Sequence, residues 1–130
     1  MRNKYRVAPT EQRRFAGRTY GSKAERMYAE ELHSCRLSGG IADIVEQPRC
    51  WLGVPENVYV PDFLVIPAEV LGGIPYYVDV KGRETQKFRR DKKLWSSYGW
   101  LDLHIVKRVG NKFNTTEIIH GRCSLRNTSS

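Results

Sequence analysis

The amino-acid sequence favours an α/β fold, in which a mixed central β-sheet is flanked by helices. Two observations point to this fold class. Helical and strand-like patterns alternate along the chain, in the order helix, strands, helix, strand. A length of 130 residues with 40% hydrophobic content also suits one domain with one hydrophobic core.

The first helix is expected to begin after Ser22 and to end at the glycines 39 and 40, because glycine favours helix ends. The stretch Ser22-Lys23-Ala24-Glu25 matches the capping box, in which a serine and a glutamate three residues later satisfy free amides of the first turn. The apolar positions at helical spacing are Ala24, Met27, Tyr28, Leu32 and Cys35.

Two strand-like segments around a Gly-Gly turn predict a β-hairpin. Residues 58–66 form the first strand, with Pro61 expected at an edge or a bulge because proline cannot donate to a sheet ladder. Residues 76–81 form the second, and Gly72 and Gly73 lie in the turn between them.

The remaining segments complete the expected domain. Residues 85–98 predict a second helix with Phe88, Leu94 and Trp95 on its apolar face, residues 101–109 a strand and residues 113–119 a final short strand. The domain organisation follows: a basic N-terminal arm at 1–20, a single domain at 21–120 and a flexible C-terminal tail at 121–130.

The charge balance predicts an anionic partner. The chain carries 22 basic and 14 acidic residues, a net charge of +8. Most of the excess lies in residues 2–26 and 81–93. Nucleic acid is the first candidate, DNA or RNA, and a basic surface that serves only solubility is the alternative.

The cysteines and the hydropathy bear on the cellular compartment. Three scattered cysteines without a CxxC pair do not suggest a disulfide framework or a zinc site. No signal peptide opens the chain, and no segment approaches the ~20 apolar residues that span a bilayer. We therefore expect a cytoplasmic protein with no membrane partner.

Two aspartates and a lysine are candidates for chemistry. Side chains alternate along a strand, so Asp79 and Lys81 share one face. Asp62 interrupts an apolar strand, and the predicted hairpin would bring it near Asp79. Two close carboxylates repel unless a proton or a cation lies between them, and oxygen ligands suit Mg²⁺ or Mn²⁺. The alternatives are a solvated Asp79–Lys81 ion pair and an Asp62 that caps a bulge or pairs with an arginine.

Glu25 is the third carboxylate. It lies at the border of the apolar stripe of the first helix, from where it could reach the edge of the sheet. The capping box is a complete alternative account of the same residue.

In this ordered combination the sequence resembles the PD-(D/E)xK nuclease superfamily, in particular small phage-type or mobile-element, resolvase-like endonucleases. Pro61-Asp62 is followed by sixteen residues and then by Asp79-Val80-Lys81, and Glu25 stands on an upstream helix. Glu46-Gln47-Pro48 before the Pro-Asp strand adds to the likeness, which covers about residues 20–108. The second acid is Asp79 where many members have glutamate.

The resemblance implies a restriction-endonuclease-like core of αβββαβ order and a metal-dependent phosphodiester hydrolase. It implies that Asp62, Asp79 and the Val80 carbonyl hold Mg²⁺ or Mn²⁺, while Glu25 binds through water or completes a second metal site. Lys81 would contact the attacking water or the scissile phosphate. Gln47 is an additional candidate site residue, with an ordinary loop amide as the alternative.

The basic residues then have an expected use as phosphate contacts, which give affinity without sequence readout. Part of this set could be a solvated helix face, since Lys87, Arg90 and Asp91 share one side at helical spacing. Trp95, Tyr98 and Trp100 could stack on bases or pack in the core. The expected DNA-binding residues are Arg83, Lys87, Arg89, Arg90, Lys93, Arg13 and Arg14.

The functional prediction is a metal-dependent DNA endonuclease of a bacterial or phage-infected cell. The small chain favours recognition of DNA shape, such as a junction or a flap, over long sequence readout. Two symmetric cuts would require a homodimer, as the family resemblance implies. The alternative is a non-catalytic nucleic-acid-binding module on the same fold.

Overall fold

A mixed five-stranded sheet with a helix against each face organises the protein in the computed structural model, which describes residues 8–123. The helices are α1 (Lys23–Leu37) and α2 (Gln86–Tyr98). The strands are β1 (Arg14–Phe15), β2 (Arg18–Thr19), β3 (Ile41–Glu46), β4 (Cys50–Trp51), β5 (Val58–Tyr59), β6 (Phe63–Pro67), β7 (Tyr76–Val80), β8 (Leu103–Val109) and β9 (Lys112–Ile119). Residues 1–7 of the predicted arm and 124–130 of the predicted tail lie outside the described residues.

The mixed α/β class predicted from the sequence is confirmed. The sheet has the order β3-β6-β7-β8-β9, and only β7 and β8 run parallel. Helix α2 connects these two parallel strands, as such a crossover requires. The arrangement leaves β7 in the centre of the sheet.

Helix α1 begins where the capping box predicts. The Ser22 Oγ accepts a hydrogen bond from the Glu25 amide at 3.1 Å. The helix stops before Gly39, whose φ of +90° is a conformation that glycine adopts without strain. Ala29 and Leu32 are buried against the sheet, whereas Cys35, which the periodicity places on the apolar face, is exposed.

The predicted hairpin between the two central strands is present. Phe63 pairs with Val78 and Val65 pairs with Tyr76 in an antiparallel register. Gly72 and Gly73 both have positive φ angles, +108° and +66°, in the connection. The hairpin therefore places the start of β6 beside the end of β7.

The prediction of one continuous strand over residues 58–66 is wrong. The segment breaks at residues 60–62 into β5, which pairs with β4, and β6, which joins the main sheet. Pro61 explains the break, because it has no amide hydrogen to continue a ladder, and its own side chain is fully buried. Asp62 consequently lies in a bend at the start of β6.

Alternation along β7 divides its side chains between two cores. Val78 and Val80 are buried against α1, as predicted. Tyr77 points to the other face, which packs on α2 and the small β4–β5 sheet. Asp79 shares that second face and is only 2% exposed. A carboxylate in the centre of the fold is therefore covered on both sides.

Residues 8–20, which the sequence assigns to the arm, lie along α1 where they are described. A 3₁₀ turn (Thr10–Arg13) leads into the β1–β2 hairpin, and Tyr20 is buried in the α1-side core. The Arg26 Nε donates to the Gln12 carbonyl at 2.8 Å, which ties this segment to the helix.

Among the two helices that the structure describes over residues 8–123, neither is long and apolar enough to cross a membrane.

Candidate active site

Asp62 and Asp79 lie on neighbouring strands at the same end of the hairpin. The Phe63–Val78 pairing, continued by one residue, puts Asp62 opposite Asp79. The Asp62 Oδ2 accepts a hydrogen bond from the Val80 amide at 2.7 Å, which fixes it against the end of β7. The proximity that the predicted hairpin requires is present.

Lys81 and Tyr59 hold the second aspartate. The Lys81 Nζ lies 3.4 Å from the Asp79 Oδ2 and 4.5 Å from the centre of the Phe88 ring. The buried Tyr59 hydroxyl donates a hydrogen bond to the same Asp79 oxygen. Sequence reasoning missed Tyr59, because nothing in a strand pattern distinguishes a packing tyrosine from one that holds a carboxylate.

Glu25 joins the same group while also capping its helix. The Ser22 Oγ lies 3.4 Å from the Glu25 Oε1, in addition to its bond to the Glu25 amide. The Glu25 side chain also shares a hydrogen bond with the Asp62 carboxyl. The capping role and the site role, which the sequence leaves as alternatives, are thus compatible. We name Glu25, Asp62, Asp79 and Lys81 the carboxylate site.

The space around Glu25 is narrow. A Cβ atom added at Gly21 would lie 3.1 Å from the Glu25 Oε1, and the Gly21 backbone donates a hydrogen bond that lowers the pKa of this carboxyl. The absence of a side chain at Gly21 therefore lets the carboxylate fold back toward the helix start and still face Asp62.

Burial raises the pKa of all three carboxyls. It raises the pKa of Asp62 to about 7, with the Glu25 charge adding to the rise and the Val80 amide and Lys81 opposing it. It raises the pKa of Asp79 to about 7, against the opposing Lys81 charge. It also raises the pKa of Glu25, although the Gly21 and Ser22 hydrogen bonds pull it down. One lysine does not neutralise three buried acids, so protons are retained near neutral pH.

The donor set suits a divalent cation. Carboxylate oxygens and a backbone carbonyl are the ligands of Mg²⁺ and Mn²⁺, and a cation would satisfy the charge that protons now balance. Within residues 8–123, no three His, Cys, Asp or Glu side chains already converge as a finished metal cage. The acids instead hold the Val80 amide, Tyr59 and Ser22, partners that an incoming ion would compete with.

Gln47 lies next to the carboxylate site through its backbone. Its amide donates to the Asp62 carbonyl at 3.0 Å. Its φ of +50° is a left-handed conformation that is uncommon outside glycine and is enriched at functional sites. The exposed Gln47 side chain thus starts from the position where the sequence predicts an additional site residue.

The predicted phosphate contacts around α2 fall into two groups, and together we name them the basic surface of α2: Arg83, Lys87, Arg89, Arg90 and Lys93. Arg83, Arg89 and Lys93 are exposed. Lys87 pairs with Asp91 at 2.9 Å, and Arg90 donates to Asn57 at 3.1 Å. The expectation that part of this set forms an ordinary helix face therefore holds for Lys87 and Asp91.

The two predicted contacts of the arm lie on the α1 side. Arg13 donates to the Tyr20 carbonyl at 3.0 Å and to the Thr10 hydroxyl at 3.3 Å, so it braces the N-terminal segment. Arg14 is exposed on β1. The structure does not bring these two residues into the group around α2, which covers the opposite face of the sheet.

Comparison of the chain with protein-family models, curated proteins and solved structures gives no match. The chemistry of the carboxylate site therefore carries the functional interpretation.

Proposed function

We propose that this protein is a Mg²⁺- or Mn²⁺-dependent DNA endonuclease built on a restriction-endonuclease-like core. The observation that carries the proposal is the pairing of Asp62 with Asp79 across β6 and β7, with the Lys81 Nζ 3.4 Å from Asp79. Buried acids so close together are costly for stability alone, which supports a role in chemistry. The chain order α1, β3, β6, β7, α2, β8 supports the αβββαβ core.

Each residue of the carboxylate site has a proposed role. Asp62, Asp79 and the Val80 carbonyl hold the ion, and Glu25 holds it through water or forms a second site beside Asp62. The ion supplies a Lewis acid that polarises the phosphate and makes water a better nucleophile. Lys81 binds the attacking water or the scissile phosphate, where its charge favours the ionised form of either.

Tyr59 is a positioning residue under this proposal. Its hydroxyl donates to Asp79 from within the α2-side core, which fixes the orientation of that carboxylate. A metal ligand that is held by a hydrogen bond of this kind loses less freedom on binding an ion.

The basic surface of α2 follows the Asp-x-Lys strand directly, and we propose that it contacts the phosphates that flank the cut. The exposed Arg83, Arg89 and Lys93 are the strongest candidates, because no carboxylate in the described part of the chain is paired with them. Contacts of this kind do not read sequence, which supports selection of DNA by shape, such as a junction or a flap. Two symmetric cuts would require a homodimer.

A non-catalytic DNA-binding module of the cytoplasm is the second candidate. It is favoured by one observation, that the acids already have partners in Ser22, Tyr59 and the Val80 amide. Such a set could serve as a structural network without an ion.

The two candidates separate in a cleavage assay. Labelled duplex, single strand, flap, four-way junction and RNA are incubated with Mg²⁺ or Mn²⁺ and the wild type, Asp79→Asn or Asp43→Asn. The proposal expects cleavage of at least one DNA, loss of it in Asp79→Asn with DNA binding retained, and no change in Asp43→Asn. Asp43 is a matched control because it is an exposed carboxylate on β3 that pairs with Arg36. Binding without cleavage of any substrate would favour the module instead.

A further inference from the structure

The exposed aromatic side chains of the protein gather at one place. Among residues 8–123, Trp51, Tyr98 and Trp100 are the aromatic residues with more than a third of their surface exposed, at 58%, 48% and 59%. All three line a single cavity of about 190 Å³, with the fully buried Trp95 against its wall. We name this cavity the aromatic pocket. Scattered exposed aromatics need no explanation, but three that share one concave site do.

From this cavity we infer that the aromatic pocket binds one unstacked nucleobase of single-stranded DNA, by stacking the base against Trp51 or Trp100. This inference rests on the proposed nucleic-acid function of the chain and adds the state of the substrate. Aromatic side chains bind bases of any identity in this way, since every base has a π-face.

The dimensions and the charge of the pocket fit this occupant. A cavity of about 150 Å³ accepts one benzene ring, so a pocket slightly larger suits one base rather than a helix or a loop of a partner protein. Arg49 also lines the pocket. A guanidinium beside aromatic rings can meet the phosphate of the same nucleotide or stack on its base.

The pocket is held in shape before a ligand arrives. The Tyr98 ring lies over Gly53, where an added Cβ would come within 2.9 Å of it. The Trp95 Nε1 donates to the Leu101 carbonyl at 2.9 Å, and the Cys123 amide donates to the Trp100 carbonyl at 2.8 Å. Rings whose backbone is fixed in this way lose little freedom when a base stacks on them.

The pocket lies beside the carboxylate site. Tyr77, which lines the pocket, and Asp79 are two residues apart on β7 and point to the same face. Two strand residues span about 7 Å. A base in the pocket would therefore belong to a nucleotide close to the phosphate at Asp79, which favours substrates whose strand is unpaired near the cut, such as flaps and junction arms.

Tryptophan fluorescence can test this directly, because Trp51, Trp95 and Trp100 are the only tryptophans of the chain and all line the pocket. The titrants are an oligothymidylate of about ten nucleotides, within the usual site size of single-strand binders, and an abasic oligonucleotide of the same length and charge. The titration is done in EDTA, so that no cleavage contributes. We expect the oligothymidylate to quench the fluorescence and to bind about 5- to 150-fold more tightly than the abasic strand.

Variants separate stacking from charge. Trp51→Ala and Trp100→Ala should each bring oligothymidylate binding, followed by anisotropy of a labelled strand, toward the abasic level while binding of the abasic strand stays unchanged. Trp100→Phe should keep most of the preference because it keeps a ring. Leu37→Ala, at a 91% exposed apolar side chain at the C-terminal end of α1, is the matched control and should change nothing.

Three outcomes would overturn the inference: equal affinity for the two strands, alanine variants that weaken both equally, or alanine variants that convert a dimer to a monomer in size-exclusion chromatography. The last would assign the aromatic surface to a protein partner. Failure of the proposed function looks different, since cleavage that is absent or insensitive to Asp79→Asn would leave the base preference measured in EDTA intact.

Discussion

The carboxylate site and the basic surface of α2 treat their charges in opposite ways. At the carboxylate site three acids and one lysine are largely withdrawn from water and shift one another's proton affinity. On α2 the charges face solvent, and Lys87 is neutralised by a neighbour one turn away. An exposed pair of that kind contributes ~0–1 kcal/mol and needs no function, whereas buried acids carry a real cost. The difference locates the chemistry at the sheet and leaves α2 with binding.

Replacing one lysine in each region gives the largest expected contrast. Lys81→Met should lower DNA cleavage by about 100-fold or more, because a group that assists proton transfer or binds the reacting phosphate contributes at least that much. Lys87→Met should change cleavage by no more than a few-fold. Rates at saturating DNA and metal measure both. Equal losses would erase the distinction between the two regions.

A smaller effect is expected from Tyr59→Phe, which removes the hydroxyl that holds Asp79. Loss of such a supporting hydrogen bond typically costs about 10- to 100-fold in metal affinity or activity. The Mg²⁺ concentration for half-maximal cleavage should rise, a change that a purely structural role would not produce. Tyr77→Phe is the matched control, since Tyr77 lies on the same face but belongs to the aromatic pocket. An unchanged Mg²⁺ requirement in Tyr59→Phe would argue against the positioning role.

The basic surface should reveal itself through salt rather than through rate. Replacing Arg83, Arg89 and Lys93 together by glutamine should weaken DNA binding and reduce the slope of log affinity against log salt by about 0.9 for each phosphate that the protein no longer neutralises. The same change at Lys87 and Lys92 should reduce it less, because these lysines pair with Asp91, Glu84 and Glu117. Equal slopes for the two sets would show that the ion pairs open on DNA.

The elements of the fold could be predicted because local signals agree with the final structure. The capping serine of α1, the Gly-Gly turn and the periodicity of α2 all depend on neighbours in sequence. The break at Pro61 was signalled by the proline but not placed, since a proline marks a bulge without saying which sheet each half joins. Which strands pair in parallel depends on tertiary packing.

The candidate site was predictable in its charged members and not in its supporting ones. Asp62, Asp79 and Lys81 stand out because acids are unusual in strands. Tyr59 and the aromatic pocket do not, because a tyrosine or tryptophan reads as core until its exposure is known. Trp95 and Trp100 illustrate this, since the first is buried and the second is 59% exposed.

The smallest effect concerns the metal-free protein and its stability against pH. The folded pKa values of Asp62 and Asp79 are about 7, above the ordinary 3.8, so between these values the folded state holds more protons than the unfolded one. Stability from these carboxyls is therefore present below about pH 4 and falls as pH rises to about 7. We expect a fall in melting temperature on the order of 5 °C across this window, which corresponds to about 1 kcal/mol.

Asp79→Asn provides the comparison that isolates this effect. The pKa of His104 is lowered by burial, so its charging opposes stability in acid and runs against the carboxyl effect in both proteins. The variant keeps His104 and lacks one titrating acid, so its melting temperature should depend less on pH between about 4 and 7. Added Mg²⁺ should stabilise the wild type more at about pH 8 than at about pH 5, because a cation binds deprotonated carboxylates. Identical pH curves for the two proteins would mean that Asp79 is not strained in the folded state, and the contrast with the exposed charges of α2 would lose its physical basis.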